Sequence, residues 1–190
     1  YMNISNIISL IDFILVGWKM PSIYFFRGKA ATGKTTITNA LSRKLNVPVL
    51  RKDDIFDILS CYTKDNLKNN SATYDLLSKL IQTNINNKAD LIIDIGLSNT
   101  NNWMTFQAKL DYKDYNTFTF LCDCSDLVMW KMRIAERIKN PAPNQYFKTI
   151  EEAVEHYGKG EIKLLDNEYY VDSSDSLDSI LNFIYEKTRI

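Results

Sequence analysis

A single histidine and three cysteines leave this chain of 190 residues almost nothing from which to build a metal centre or a disulfide framework. Cys61, Cys122 and Cys124 are too few and wrongly spaced for a four-ligand zinc site, and His156 stands alone. The expectation is buried, reduced thiols in a reducing, cytoplasmic compartment. A charge of one sign is missing too. Lys plus Arg balances Asp plus Glu, 23 against 23, so no global field gathers nucleic acid or an anionic membrane, and any polyanion must be held locally. Long apolar runs are scarce. The most apolar stretch, residues 4–16, is interrupted by Asp12, is short for a membrane span, and lacks a cationic leader or a small-residue cleavage site. A helix packed on the domain is expected over residues 1–21, with no membrane association. The length fits one domain, residues 22–190, better than two.

Glycine is scarce as well, with six in all, so two of them spaced five apart stand out in Gly28, Lys29, Ala30, Ala31, Thr32, Gly33, Lys34, Thr35. This is a Gly-x-x-x-x-Gly-Lys-Thr (Walker A) phosphate loop. Tyr24, Phe25 and Phe26 before it read as a buried strand, and Ile37, Leu41 and Leu45 after it as the apolar stripe of a helix. Glycines at the bend let the backbone curl, so that N–H groups from Gly28 to Thr36 converge on a phosphate at the helix N-terminus. Lys34 is then placed for the β- and γ-oxygens, and the Thr35 hydroxyl for Mg²⁺.

Downstream, short apolar runs alternate with helical periods. Val49 to Arg51 reads as a second strand that delivers Lys52, Asp53 and Asp54, and Ile55, Ile58 and Leu59 follow at core-facing spacing. The polar stretch from Tyr62 to Ser71 reads as a surface loop, and Tyr74, Leu77, Leu80, Ile81 and Ile85 as a helix. Leu91 to Asp94 is a strand ending in an acid, and Trp103, Phe106 and Leu110 lie on the next helix. Thr117 to Cys122 is a strand, and Leu127, Trp130, Ile134 and Ile138 mark a helix. Pro141 and Pro143 break the chain, Ile150 to Tyr157 resumes a helical period, and Asn167 to Asp172 and Leu177 to Ile184 give the last strand and helix. The pattern predicts an α/β fold of the P-loop NTPase type, a five-stranded parallel sheet with helices on both faces. The basic, proline-interrupted segment at about 133–150 is the candidate for a helical lid.

Each further candidate has a plain reading beside the functional one. Asp53 and Asp54 suit a helix cap, with Asp54 the nearer; Asp53 also suits a general base facing the γ-phosphate, or a metal contact through water. Asp94 suits a strand-end acid behind Mg²⁺, or a contact with the acceptor. Arg133 and Arg137, four apart, share a helix face, as either a solvated pair or a clamp on the migrating phosphoryl group. Trp103, Phe106 and Trp130 fall on core stripes.

Taken together, Gly28 to Thr36, Arg51-Lys-Asp-Asp54, Leu91 to Asp94 with Leu97 to Asn99, Arg133 with Arg137 and Asn140-Pro141, and Tyr170 to Ser174 resemble the P-loop kinase superfamily. The likeness is to its small single-domain members of the zeta-toxin-like and polynucleotide-kinase-like type, and it spans about Ser22 to Ile184. It implies ATP and Mg²⁺ as cofactors and transfer of the γ-phosphoryl group to a hydroxyl, with Asp53 as base and Arg133 and Arg137 on the lid. Residues around Ser174 would lie beside adenine. Lys29-Ala-Ala-Thr departs from the usual loop interior. A small-molecule acceptor is the expectation, with a polynucleotide 5′-hydroxyl as the alternative and a switch ATPase without an acceptor as the alternative of another class.

Overall fold

A computed structural model describes residues 20–189, so the helix expected before residue 22 lies almost wholly outside the described residues. Five parallel strands form one sheet: β1 (Ser22–Gly28), β2 (Val49–Arg51), β3 (Leu91–Asp94), β4 (Asn116–Asp123) and β5 (Glu168–Asp172), in the order β2-β3-β1-β4-β5. Between and after them run α1 (Lys34–Leu45), α2 (Lys52–Tyr62), α3 (Asn66–Asn86), α4 (Thr100–Gln107), α5 (Leu127–Lys139), α6 (Ile150–Gly158) and α7 (Leu177–Thr188).

Period-two alternation in β1 sorts its side chains onto two cores. Ile23 and Phe25 pack with Leu77, Ile81, Ile93 and Trp103 under α3 and α4. Tyr24 and Phe26 pack with Ile37, Leu41, Phe120, Val171 and Ile184 under α1 and α7. Burial on both faces is why the strand reads as a continuous apolar run. The chain leaves the central β1 toward β2 on one side and later crosses to β4 on the other. That reversal opens a crevice beyond the carboxyl end of β1, where such sheets hold ligands.

Four expectations need correction. The loop predicted from Tyr62 to Ser71 is helical from Asn66 onward, because the Asp65 side chain accepts a hydrogen bond from Lys68 N and caps α3. Ile58 is exposed and Phe56 takes the core position of α2. Leu127 is exposed on α5, whereas Trp130 and Ile134 are buried. Cys61 is exposed, so only Cys122 and Cys124 are buried thiols. Among the described residues, no helix is long and apolar enough to cross a membrane.

Candidate active site

The phosphate loop follows β1 directly, with Gly33 at φ 73° as the N-cap of α1. Lys34 is folded back, its Nζ donating to the carbonyl oxygens of Gly28 at 3.1 Å and Lys29 at 2.5 Å. Small residues in the loop interior allow α5 and α6 to close on it. Ala30 N donates to the Tyr157 hydroxyl at 3.0 Å, and Trp130 Nε1 donates to Ala30 O at 3.0 Å. Trp130 and Tyr157 belong to a satellite core with Ile134, Phe147 and Ala153, against which Ala30 and Ala31 pack. The departure at Ala30 and Ala31 is therefore matched to two aromatic side chains that sequence reasoning assigned to packing alone.

Asp94 stands at the end of β3, almost fully buried, and accepts from the Thr35 hydroxyl at 2.9 Å. Burial pushes its carboxyl upward, which Lys34, the Thr35 hydroxyl and Arg51 partly oppose. Arg51 Nε lies 3.5 Å from the same carboxylate. A threonine hydroxyl paired with a strand-end carboxylate, both hard oxygen donors beside a phosphate loop, fits Mg²⁺.

Asp53 and Asp54 occupy the first turn of α2, but neither caps it. The N-cap is Arg51, without a side-chain hydrogen bond. Asp54 is instead 65% exposed and pairs with Arg51 at 3.1 Å. Asp53 is 42% exposed and accepts from Asn144 Nδ2, which reaches over from the segment between α5 and α6. Lys52, in contrast, is buried, and burial lowers its pKa against the pull of Asp53. Sequence reasoning gave Lys52 no role; the one available signal was its position between a short strand and an acid.

Arg133 and Arg137 diverge. Arg133 donates from both terminal nitrogens to Ser173, to Oγ and to O, each at 2.8 Å. Arg137 Nε donates to Gln145 Oε1 at 3.2 Å. Lys29 pairs with Asp123 at 2.6 Å, and its ammonium sits 5.0 Å from the centre of the Trp130 ring. The Ser174 hydroxyl lies 3.3 Å from that of Ser125.

These residues border two cavities. The larger, of about 850 Å³, brings Gly28, Ala30 to Thr36, Asp53, Asp94 and Arg137 together and extends past Tyr74, Phe106 and Tyr146. The smaller, of about 460 Å³, lies behind the loop and is lined by Ala31, Gly33, Thr36, Arg133, Arg137, Ser173 and Asp175. Arg133 thus borders only the smaller cavity, while Lys29 and Ser174 border neither.

A network invisible in the sequence shapes the far wall. Arg27, fully buried on β1, forms a two-pronged pair with Glu168 of β5 at 2.8 and 2.6 Å. Its remaining donors hold the carbonyl oxygens of Ser98 at 3.2 Å and Lys163 at 2.6 Å. Trp103 Nε1 and Leu165 N also donate to Glu168, at 2.7 and 3.0 Å.

A family model described as an AAA domain matches residues 23–158. No curated protein matches the sequence. Among solved structures, a provisionally assigned kinase from Chloroflexus aurantiacus j-10-fl is 18% identical, with a TM-score of 0.71 over 88% of this chain and 98% of its own. A sugar kinase from Janibacter sp. HTCC2649 is 12% identical, with a TM-score of 0.63 over 90% and 95% of the two chains. The tunicamycin resistance protein of Deinococcus radiodurans is 15% identical, with a TM-score of 0.60 over 88% and 95%.

Proposed function

The chain belongs to the AAA domain family and has the fold of the small P-loop kinases, and from that premise we propose that it is an ATP- and Mg²⁺-dependent phosphotransferase acting on a hydroxyl of a small molecule. The observation that carries this reading is the larger cavity. It joins the phosphate loop, the Thr35–Asp94 pair and the Asp53 carboxylate in one space, with room beyond the loop for a second substrate.

In this mechanism the loop amides and Lys34 hold the β- and γ-phosphates, and Lys34 exchanges the carbonyl oxygens of Gly28 and Lys29 for phosphate oxygens. Thr35, with Asp94 behind it, would hold Mg²⁺, which would supply charge neutralisation for the phosphates. Asp53 accepts the proton of the acceptor hydroxyl as its oxygen bonds to the γ-phosphorus and the bond to ADP breaks. Arg137, which borders both cavities, is suited to the charge on the transferring group; Arg133 is suited to fixing Ser173 at the wall of the smaller cavity, where the nucleoside end fits. Asn144 must release Asp53 before the acceptor takes its place.

ATP with Mg²⁺ is expected to raise the melting temperature of the wild-type protein by several degrees, and Lys34→Ala to remove most of that shift without loss of fold. A screen of hydroxyl acceptors with γ-labelled ATP then identifies the product. No shift in the wild type refutes the nucleotide reading.

A further inference from the structure

Lys52 opens α2 immediately before Asp53, and the mechanism above leaves it unused. Its side chain is only 7% exposed, and what remains open borders the larger cavity. The Phe56 and Tyr74 rings lie 4.6 and 5.8 Å from its ammonium nitrogen. Ring faces ease the burial of a cation, but they do not replace hydrogen-bond acceptors. The nearest acid is Asp53, whose Oδ1 is 3.5 Å away, beyond a good hydrogen bond, and Asp57 one turn further along α2 adds a weaker attraction. An ammonium has three donors, so Lys52 keeps donors that only the cavity can satisfy. The other acid on that cavity wall, Asp94, is engaged by Thr35 and Arg51.

The chemistry sharpens this imbalance. On the proposed function, on which this inference rests, Asp53 takes up a proton in the transfer step. The nearest charge facing Lys52 is then cancelled, which leaves only the weaker pull of Asp57, and a buried ammonium so poorly compensated is costly. A second negative group, brought in by the acceptor, removes that cost. We propose that Lys52 is a specificity-determining residue that binds a carboxylate or phosphate substituent of the acceptor whose hydroxyl faces Asp53.

Neighbouring side chains on a helix diverge by about 100°, so the anionic group and the reacting hydroxyl sit a few bonds apart on one small molecule. Asn70 and Tyr74 of α3 form the adjoining wall. Tyr74 offers an apolar ring face, and both offer polar groups suited to further hydroxyls.

The test uses the full chain saturated with Mg²⁺ and the β,γ-imido analogue of ATP, melted with matched probes at constant ionic strength. The probes are gluconate against glucitol, and glycerol 3-phosphate against glycerol. The anionic member of at least one pair is expected to raise the melting temperature where its neutral partner does not, and the responding pair distinguishes carboxylate from phosphate. Lys52→Met is expected to abolish that difference while keeping the shift caused by the nucleotide analogue. Lys52→Gln, which keeps a polar head without charge, gives the same comparison if the methionine variant does not fold. The inference is overturned if neutral partners act as strongly, if no anion acts, or if the preference persists in the Lys52 variants. Lack of any shift from the nucleotide analogue in the wild type overturns the nucleotide reading itself, which separates the two failures.

Discussion

A methyl group on Gly28 would fall 2.0 Å from the carbonyl oxygen of Cys122, so this glycine lets β1 run against β4 as well as letting the loop turn at φ 138°. The sequence motif announces the second role and conceals the first, because nothing in Gly-x-x-x-x-Gly-Lys-Thr refers to a neighbouring strand. Asp172 is similarly silent in the sequence. Burial raises its pKa, but the Ser125 and Ser174 amides and hydroxyls outweigh burial and set it at about 2. Both amides donate to Oδ1 at 3.0 Å, tying the end of β5 to the turn after β4. A carboxyl held below its unfolded value of about 4 stabilises the fold above that pH and loses the contribution as pH falls toward 2. Asp172→Asn should therefore be less stable than wild type in urea at pH 7, and the gap should close as the pH approaches 2. A gap independent of pH would mean that the amide geometry, not the charge, matters there. Asp54 shows the limit of local reasoning. Its place after a strand suggested a cap, yet α2 begins at Lys52, three residues earlier than a cap at Asp54 would require, which leaves Asp54 on the surface.

Elements were legible where one face is apolar, as in α1, α5 and α7, and where β1 and β3 are buried on both faces. The first turns of α3 escaped because their residues are polar, and the signal for them was the Asp65 cap rather than a hydrophobic period. The Arg27–Glu168 pair escaped because its partners stand 141 positions apart. Both side chains are essentially sealed from water, at 0% and 1% exposure. Removing one leaves the other charge buried, so Glu168→Ala should cost about 3–5 kcal/mol in urea unfolding. It should also loosen the Ser98 and Lys163 segments, seen as faster amide exchange. A loss below about 1 kcal/mol would mean that water replaces the carboxylate at little cost. At the other end of the site, α5 presents Arg137 beside the prolines. Arg137→Lys should lower kcat far more than it weakens ATP binding, since an ammonium cannot reproduce a planar two-pronged contact with transferring oxygens. Unchanged kinetics would leave Arg137 as the partner of Gln145 alone.

At the scale of the whole molecule, the parallel sheet order places the ends of β1, β2 and β3 side by side. A phosphate loop, Asp53 and Asp94 therefore converge although the residues from Gly28 to Asp94 are spread over two intervening strand–helix connections. This convergence could be inferred from the sequence because a phosphate loop on the first strand sets the direction of all later crossovers. The outer wall of the larger cavity could not, since Tyr74, Phe106 and Tyr146 come from three different elements and each reads as packing or loop on its own. Transfer to a hydroxyl with Asp53 as the base is tested by following γ-labelled phosphate from ATP to the acceptor in wild type and in Asp53→Asn, with ATP·Mg²⁺ affinity measured alongside. Transfer should fall by roughly two to four orders of magnitude with nearly unchanged nucleotide affinity. Transfer at the wild-type rate by Asp53→Asn would contradict that role.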